Sequence, residues 1–280
     1  MRIREAIPLV LLLPVFGFIG WQVLDQTRDA ETERAATVVS TAPLDDSAQA
    51  APPAAPPAAA PEPSPAEEPA HPVFVSPGSS NPNAIPAPER DVMDVRRRIT
   101  LYEKGTYIEE ILIARDSGLA RWPERVAMPL HVWVQNGAGI AGWNDRYPEQ
   151  VREAFETWAL TGVPMKFSYV RDSLDADVMV LWIDRFDTQI TGRTLWSRDK
   201  NWWIVSGSIT LALHHTGGEP LDERAIHAIA LHEVGHLLGL DHSNDTLNIM
   251  TARVRVHELT DADRATMKLL YALPPGSLKN

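Results

Sequence analysis

Residues 232–242 read His-Glu-Val-Gly-His-Leu-Leu-Gly-Leu-Asp-His. On a helix His232 and His236 stand one turn apart on the same face, so both imidazoles can hold a single metal ion. Glu233 follows the first of them and can touch a water on that ion without ligating it. Gly239 can take a positive φ and turn the chain sharply, which lets His242 return as a third nitrogen ligand. Three protein ligands leave a fourth position for water, the catalytic rather than the structural arrangement of zinc. Zinc lowers the pKa of such a water from about 16 toward 7. Glu233 would take its proton as it attacks a carbonyl and pass that proton to the leaving amine.

These side chains need a scaffold, and the sequence from Pro129 onward supplies one. Leu130-His131-Val132-Trp133-Val134 alternates like a half-buried strand. Val151, Ala154, Phe155 and Trp158 recur at helical spacing and share one face; Gly162 and Pro164 close that helix. Residues 166–170 and 177–183 read as strands, and Val178–Trp182 is apolar enough to be central. Two further strands, 191–197 and 203–213, flank a polar turn at 198–201. The ligand helix runs from Asp222, with that residue or an immediate neighbour as its cap, to a stop at Gly239. A last helix spans about 260–272, with Thr260 as cap and Asp261 and Asp263 in its first turn. The fold class is α+β. Residues 90–124 mix helical and extended signals and are open between a lead-in, a cap and a pro-segment.

The complete run His-Glu-x-x-His-x-x-Gly-x-x-His resembles the metzincin signature. Within that clan, Asp241-His242-Ser243, Asn248-Ile249-Met250 and Leu259-Thr260-Asp261-Ala262-Asp263 are similar to the matrixins, the matrix-metalloprotease-like family. The resemblance covers about residues 125–275. It implies a zincin-type fold: a twisted, mostly parallel sheet, two long helices and a small C-terminal subdomain ending in a helix. It also implies one catalytic zinc, a Met-turn that places Met250 beneath the metal, and an Asp263 that hydrogen-bonds into that turn. Substrate would lie extended in a cleft, with Ser208–Leu213 as the strand edge that pairs with it. Calcium is allowed by the resemblance, but no oxygen-rich loop locates a site.

Three features depart from the family. Ala262 stands where matrixins carry an acid that pairs with a freshly cleaved N-terminus. Val254 replaces a tyrosine of the primary specificity pocket. The family's second, structural zinc has no evident ligands: His214-His215, His227, His131 and His257 read as structural or exposed. The chain has no cysteine, which excludes disulfides, thiolate ligands and the cysteine-based latency switch.

The remaining sequence describes how such a domain is carried. Residues 7–24 contain no charge and follow Arg2 and Arg4, so a signal anchor with a cytoplasmic N-terminus (residues 1–6) is expected. A small-x-small cleavage site is missing at Trp21–Asp25; a cleaved segment would instead give a secreted protein. Fourteen of the 23 prolines lie between Pro43 and Pro88, and residues 25–89 read as a Pro/Ala-rich disordered linker. The catalytic domain, 125–280, would then face the periplasm or the cell surface. Net charge is −11, and no Lys/Arg cluster with interleaved aromatics supports nucleic-acid binding. The expected partners are a peptide or protein substrate and, through the N-terminal segment, a membrane; nothing indicates the oligomeric state. The alternative to a zinc endopeptidase is a catalytically silent zinc-containing module that binds peptides in the cell envelope.

Overall fold

A computed structural model of the chain describes residues 74–75 and 91–279. The expected cytoplasmic end, the apolar run 7–24 and nearly all of the linker lie outside the described residues. Among the described residues no helix is long and apolar enough to cross a membrane. Within the stretch read as linker, Phe74–Val75 forms a two-residue strand, β1.

Five longer strands build the sheet: β3 (Arg125–Val134), β4 (Met165–Tyr169), β5 (Val178–Ile183), β6 (Gly192–Arg198) and β7 (Ile204–Ala212). Their order is β1-β6-β7-β5-β3-β4, and every pair is parallel except β6 with β7. The mostly parallel sheet expected from the sequence is therefore present. β5 has a strand on each side, which is why its apolar run had no polar face to show. One expectation is overturned. Residues 208–213 do not form an edge, because β7 lies between β5 and β6. The outer strand over the ligand helix is β6, and β1 covers it only at Ser197 and Arg198. Apolar content marked β7 as important, but it marks an interior strand, and an edge can afford more polar side chains.

Two long helices pack on each other: α3 (Tyr147–Ala159) and α4 (Glu223–Leu237), with α4 also against β6 and β7. Val151, Ala154, Phe155 and Trp158 are all buried, as their spacing requires. Each fully buried large side chain contributes about 1.5–3 kcal/mol. Trp158 also donates its indole N–H to the Leu231 carbonyl (2.8 Å), tying α3 to the turn that bears His232. Asp222 caps α4 by accepting from Ala225 N (2.7 Å). Gly239, at φ 108°, ends it; a Cβ there would sit 2.4 Å from the Ala120 carbonyl oxygen.

The segment left open by the sequence resolves into α1 (Val92–Tyr102), α2 (Ile108–Ala114) and the short strand β2 (Gly118–Leu119). Val95, Ile99, Ile108 and Ile111 are buried in the same core as the sheet and the long helices. β2 pairs antiparallel with β8 (Gly276–Ser277), which follows the last helix α5 (Asp261–Ala272). The N-terminal helices and the chain's last residues therefore close on one another.

Candidate metal centre and active site

The three histidines converge. Nε2 of His236 lies 3.0 Å from Nε2 of His232 and 3.2 Å from Nε2 of His242. Their ligand atoms all fall within 4.8 Å of one another, a group that could hold a metal ion. A tetrahedral zinc with Zn–N bonds near 2.0–2.1 Å needs nitrogens about 3.3 Å apart, so the spacing fits zinc. The opposite ring nitrogens agree. His232 Nδ1 is 2.8 Å from the Ile249 carbonyl and His236 Nδ1 is 3.1 Å from the Leu240 carbonyl. A carbonyl only accepts, so each Nδ1 carries the proton and each Nε2 keeps its lone pair toward the centre.

Glu233 is buried beside this cluster. Its carboxylate sits in a socket made by β6, whose inward positions are Gly192, Thr194 and Trp196. A Cβ on Gly192 would fall 2.3 Å from Glu233 Oε1, so only glycine leaves room there. Thr194 Oγ1 lies 2.6 Å from Glu233 Oε2 and 2.9 Å from the Glu233 carbonyl. The hydroxyl has one proton and two acceptors in reach; an ionised carboxylate takes it, as the stronger acceptor. Neither residue carries a signal in the metal motif. The period-two pattern of a strand at 191–197 does put Gly192, Thr194 and Trp196 on one face, so an inward hydroxyl was the readable clue.

Behind the histidines a second layer is fully satisfied. Met250 is buried, and a Cβ on Gly235, between the two helical histidines, would meet its Sδ at 2.3 Å. Ser243 N donates to the Met250 carbonyl (2.8 Å), and Asn248 Nδ2 to Ser243 Oγ (2.8 Å). Asp263 is buried and accepts Ile249 N (3.0 Å) and Thr260 N (2.9 Å) on one oxygen and the Tyr107 hydroxyl (3.0 Å) on the other. Since Ile249 also supplies the carbonyl that orients His232, Asp263 acts on a ligand through one intervening residue. Burial, with the Asp263 charge and hydrogen bond behind it, pushes the Tyr107 phenol well above its ordinary pKa.

Asp241 joins the ligand loop to the N-terminal helices. Its Oδ1 accepts His242 N (2.8 Å) and its Oδ2 accepts Arg115 Nε (2.9 Å). Burial would raise this carboxyl; the Arg115 charge and the two hydrogen bonds outweigh it and bring the pKa below the ordinary value.

None of the other histidines joins the ligand group, although His215 and His257 line the cleft that also holds His232 and Glu233. His214 pairs with Asp184 (2.8 Å). His131 and His215 are exposed, and His227 lies in a groove on the far side of α4 with Glu149, Glu153 and Tyr169. Among the described residues no second group of three His or carboxylate ligands forms, for a structural zinc or for calcium.

A cleft opens beside Glu233. Its cavity measures about 430 Å³ and is lined by Gly192, Leu221, Ile229, His232, Glu233 and Val254 among others. The segment after the Met-turn, 252–255, thus forms a wall of the space next to the metal cluster. Arg253 and Arg255 on that wall are exposed.

Comparison with known proteins agrees with this geometry. Residues 184–272 match the family model described as matrixin. The chain is also similar to Metalloendoproteinase 2-MMP of Arabidopsis thaliana, 37% identical over 82 residues, which is 28% of this chain. The match spans about a fifth of that relative's length, 20%. The stretch matched by the family model carries the histidine cluster and the turn at Met250, and with the sheet order in place these matches support a matrixin-like metzincin.

Proposed function

We propose that the protein is a zinc-dependent endopeptidase, with His232, His236 and His242 as metal ligands and Glu233 as general base. The observation that carries this reading is the pairing of three convergent Nε2 atoms with a buried carboxylate at the mouth of an open cleft. A zinc-binding module without catalysis has no use for a carboxylate seated so closely. Zinc, when bound, supplies Lewis acidity toward the water and the scissile carbonyl oxygen. Glu233 accepts the proton of the attacking water and delivers it to the leaving amine nitrogen. Thr194 holds one carboxylate oxygen and so fixes the orientation of the group that makes that exchange. Residues 192–196 of β6 pair with β7 on one side; on the other side no strand among the described residues reaches them, and that side offers an edge for an extended peptide. The apolar walls at Leu221, Ile229 and Val254 would take an apolar side chain of it.

The charge-free run 7–24 supports an N-terminal anchor that tethers this domain outside a membrane. Alkaline extraction of membranes from expressing cells tests the tether: retention in the pellet supports it, and quantitative release opposes it. The activity is tested with the full chain and an unfolded protein substrate. Cleavage should stop when a chelator removes the metal and return with added zinc. A zinc-loaded protein that leaves every substrate peptide bond intact would favour the silent binding module.

A further inference from the structure

The segment 91–122, ambiguous in sequence, reaches the end of the ligand helix and the loop after it through five hydrogen bonds. Trp122 donates its indole N–H to the Leu237 carbonyl (2.9 Å). Arg115 donates Nη1–H to the Gly239 carbonyl (2.7 Å), Nη2–H to the Leu240 carbonyl (2.7 Å) and Nε–H to Asp241 Oδ2 (2.9 Å). Glu110 Oε2 accepts Asn244 N (2.6 Å). The Arg115 side chain is only 8% exposed. Its guanidinium also stacks 5.1 Å from the ring of Trp196, on the strand that seats Glu233.

Two of the three Arg115 acceptors lead straight to metal ligands. The Leu240 carbonyl is also the group that fixes His236 through Nδ1. Asp241 is also the group that holds the backbone N–H of His242. The planar fork of arginine satisfies all three acceptors at once, which a point-charge ammonium cannot do. We propose that Arg115 is a positioning residue for both His236 and His242. By this account residues 91–122 are a permanent buttress of the metal centre, not an inhibitory segment that must be removed. The proposal rests on the reading of these histidines as zinc ligands.

The test uses the full chain as wild type, Arg115→Met, Arg115→Lys and Arg121→Met. Arg121 is the matched control. It lies in the same segment and stacks on Trp203 and Tyr271, but it donates to the Leu273 and Trp122 carbonyls, away from the ligands. Zinc affinity is read by competition with a chromophoric chelator, and amide exchange of residues 237–244 is read in metal-free protein. Arg115→Met should weaken zinc binding about 10–100-fold, the range for residues that orient metal ligands, and speed exchange across 237–244. Arg115→Lys should fall between, and carries the comparison if the methionine variant does not fold. Arg121→Met should lower the melting temperature with zinc affinity unchanged. Unchanged affinity and exchange in both Arg115 variants would overturn the proposal, as would an equal loss in Arg121→Met. Wild type that binds no zinc would sink the ligand assignment instead, and the exchange comparison would still decide whether Arg115 holds the loop.

Discussion

At the scale of single residues, the metal centre is written in one continuous stretch, and its supports are not. His232, Glu233, His236, Gly239 and His242 are legible because a helix and one sharp turn bring them together without help from the rest of the chain. Thr194 and Arg115 reach the site from 39 and 126 positions away in sequence, counted to Glu233 and Asp241. Only the folded sheet makes a threonine on β6 differ from any other strand threonine. Thr194→Val keeps the shape and removes the hydroxyl, so Glu233 loses a fixed orientation. The expected result is a kcat about 10-fold lower or worse, with KM and zinc content near wild type and recovery in Thr194→Ser. Steady-state kinetics on a peptide substrate, with metal analysis, checks this; a change in KM alone would mean that Thr194 serves binding.

At the scale of elements, the long helices follow from local rules and the short ones do not. α4 has its cap at Asp222 and its stop at Gly239, and α5 has a capping box between Thr260 and Asp263, so both ends of α4 and the start of α5 are local events. α2 has seven residues and no side-chain cap at Tyr107. It is too short to form alone and stands only because Ile108 and Ile111 enter the common core. The same logic explains the misassigned substrate edge, since strand order is a tertiary fact that apolar content does not encode. Gly239 is where element and site meet. Gly239→Ala would force a Cβ into the Ala120 carbonyl at a positive φ, costing more than about 1 kcal/mol, and would displace the turn that brings in His242. Thermal unfolding together with zinc affinity should both decline; wild-type values for both would show that the turn tolerates a side chain.

At the scale of the whole molecule, the ends of the described domain lock together around buried phenols, and this sets its response to alkali. Tyr271 is buried and donates to the Leu238 carbonyl (3.1 Å) at the end of the ligand helix. Burial raises its pKa strongly, outweighing the Arg121 charge and the hydrogen bond from the Trp122 backbone. Above the unfolded phenol's pKa of about 10, the unfolded chain releases a proton that the folded chain keeps. The unfolded state then binds fewer protons, so stability falls as pH rises. Melting temperatures between pH 8 and 11.5 should decline beyond about pH 10, with Tyr271→Phe showing a shallower decline; parallel curves would remove Tyr271 from this account. The central claim concerns Glu233, and its most direct test is Glu233→Gln in the full chain with bound zinc counted. The variant should hold as much zinc as wild type yet cleave an unfolded protein at least about 100-fold more slowly. Equal cleavage by the zinc-loaded variant would contradict Glu233 as the base and, with it, the mechanism.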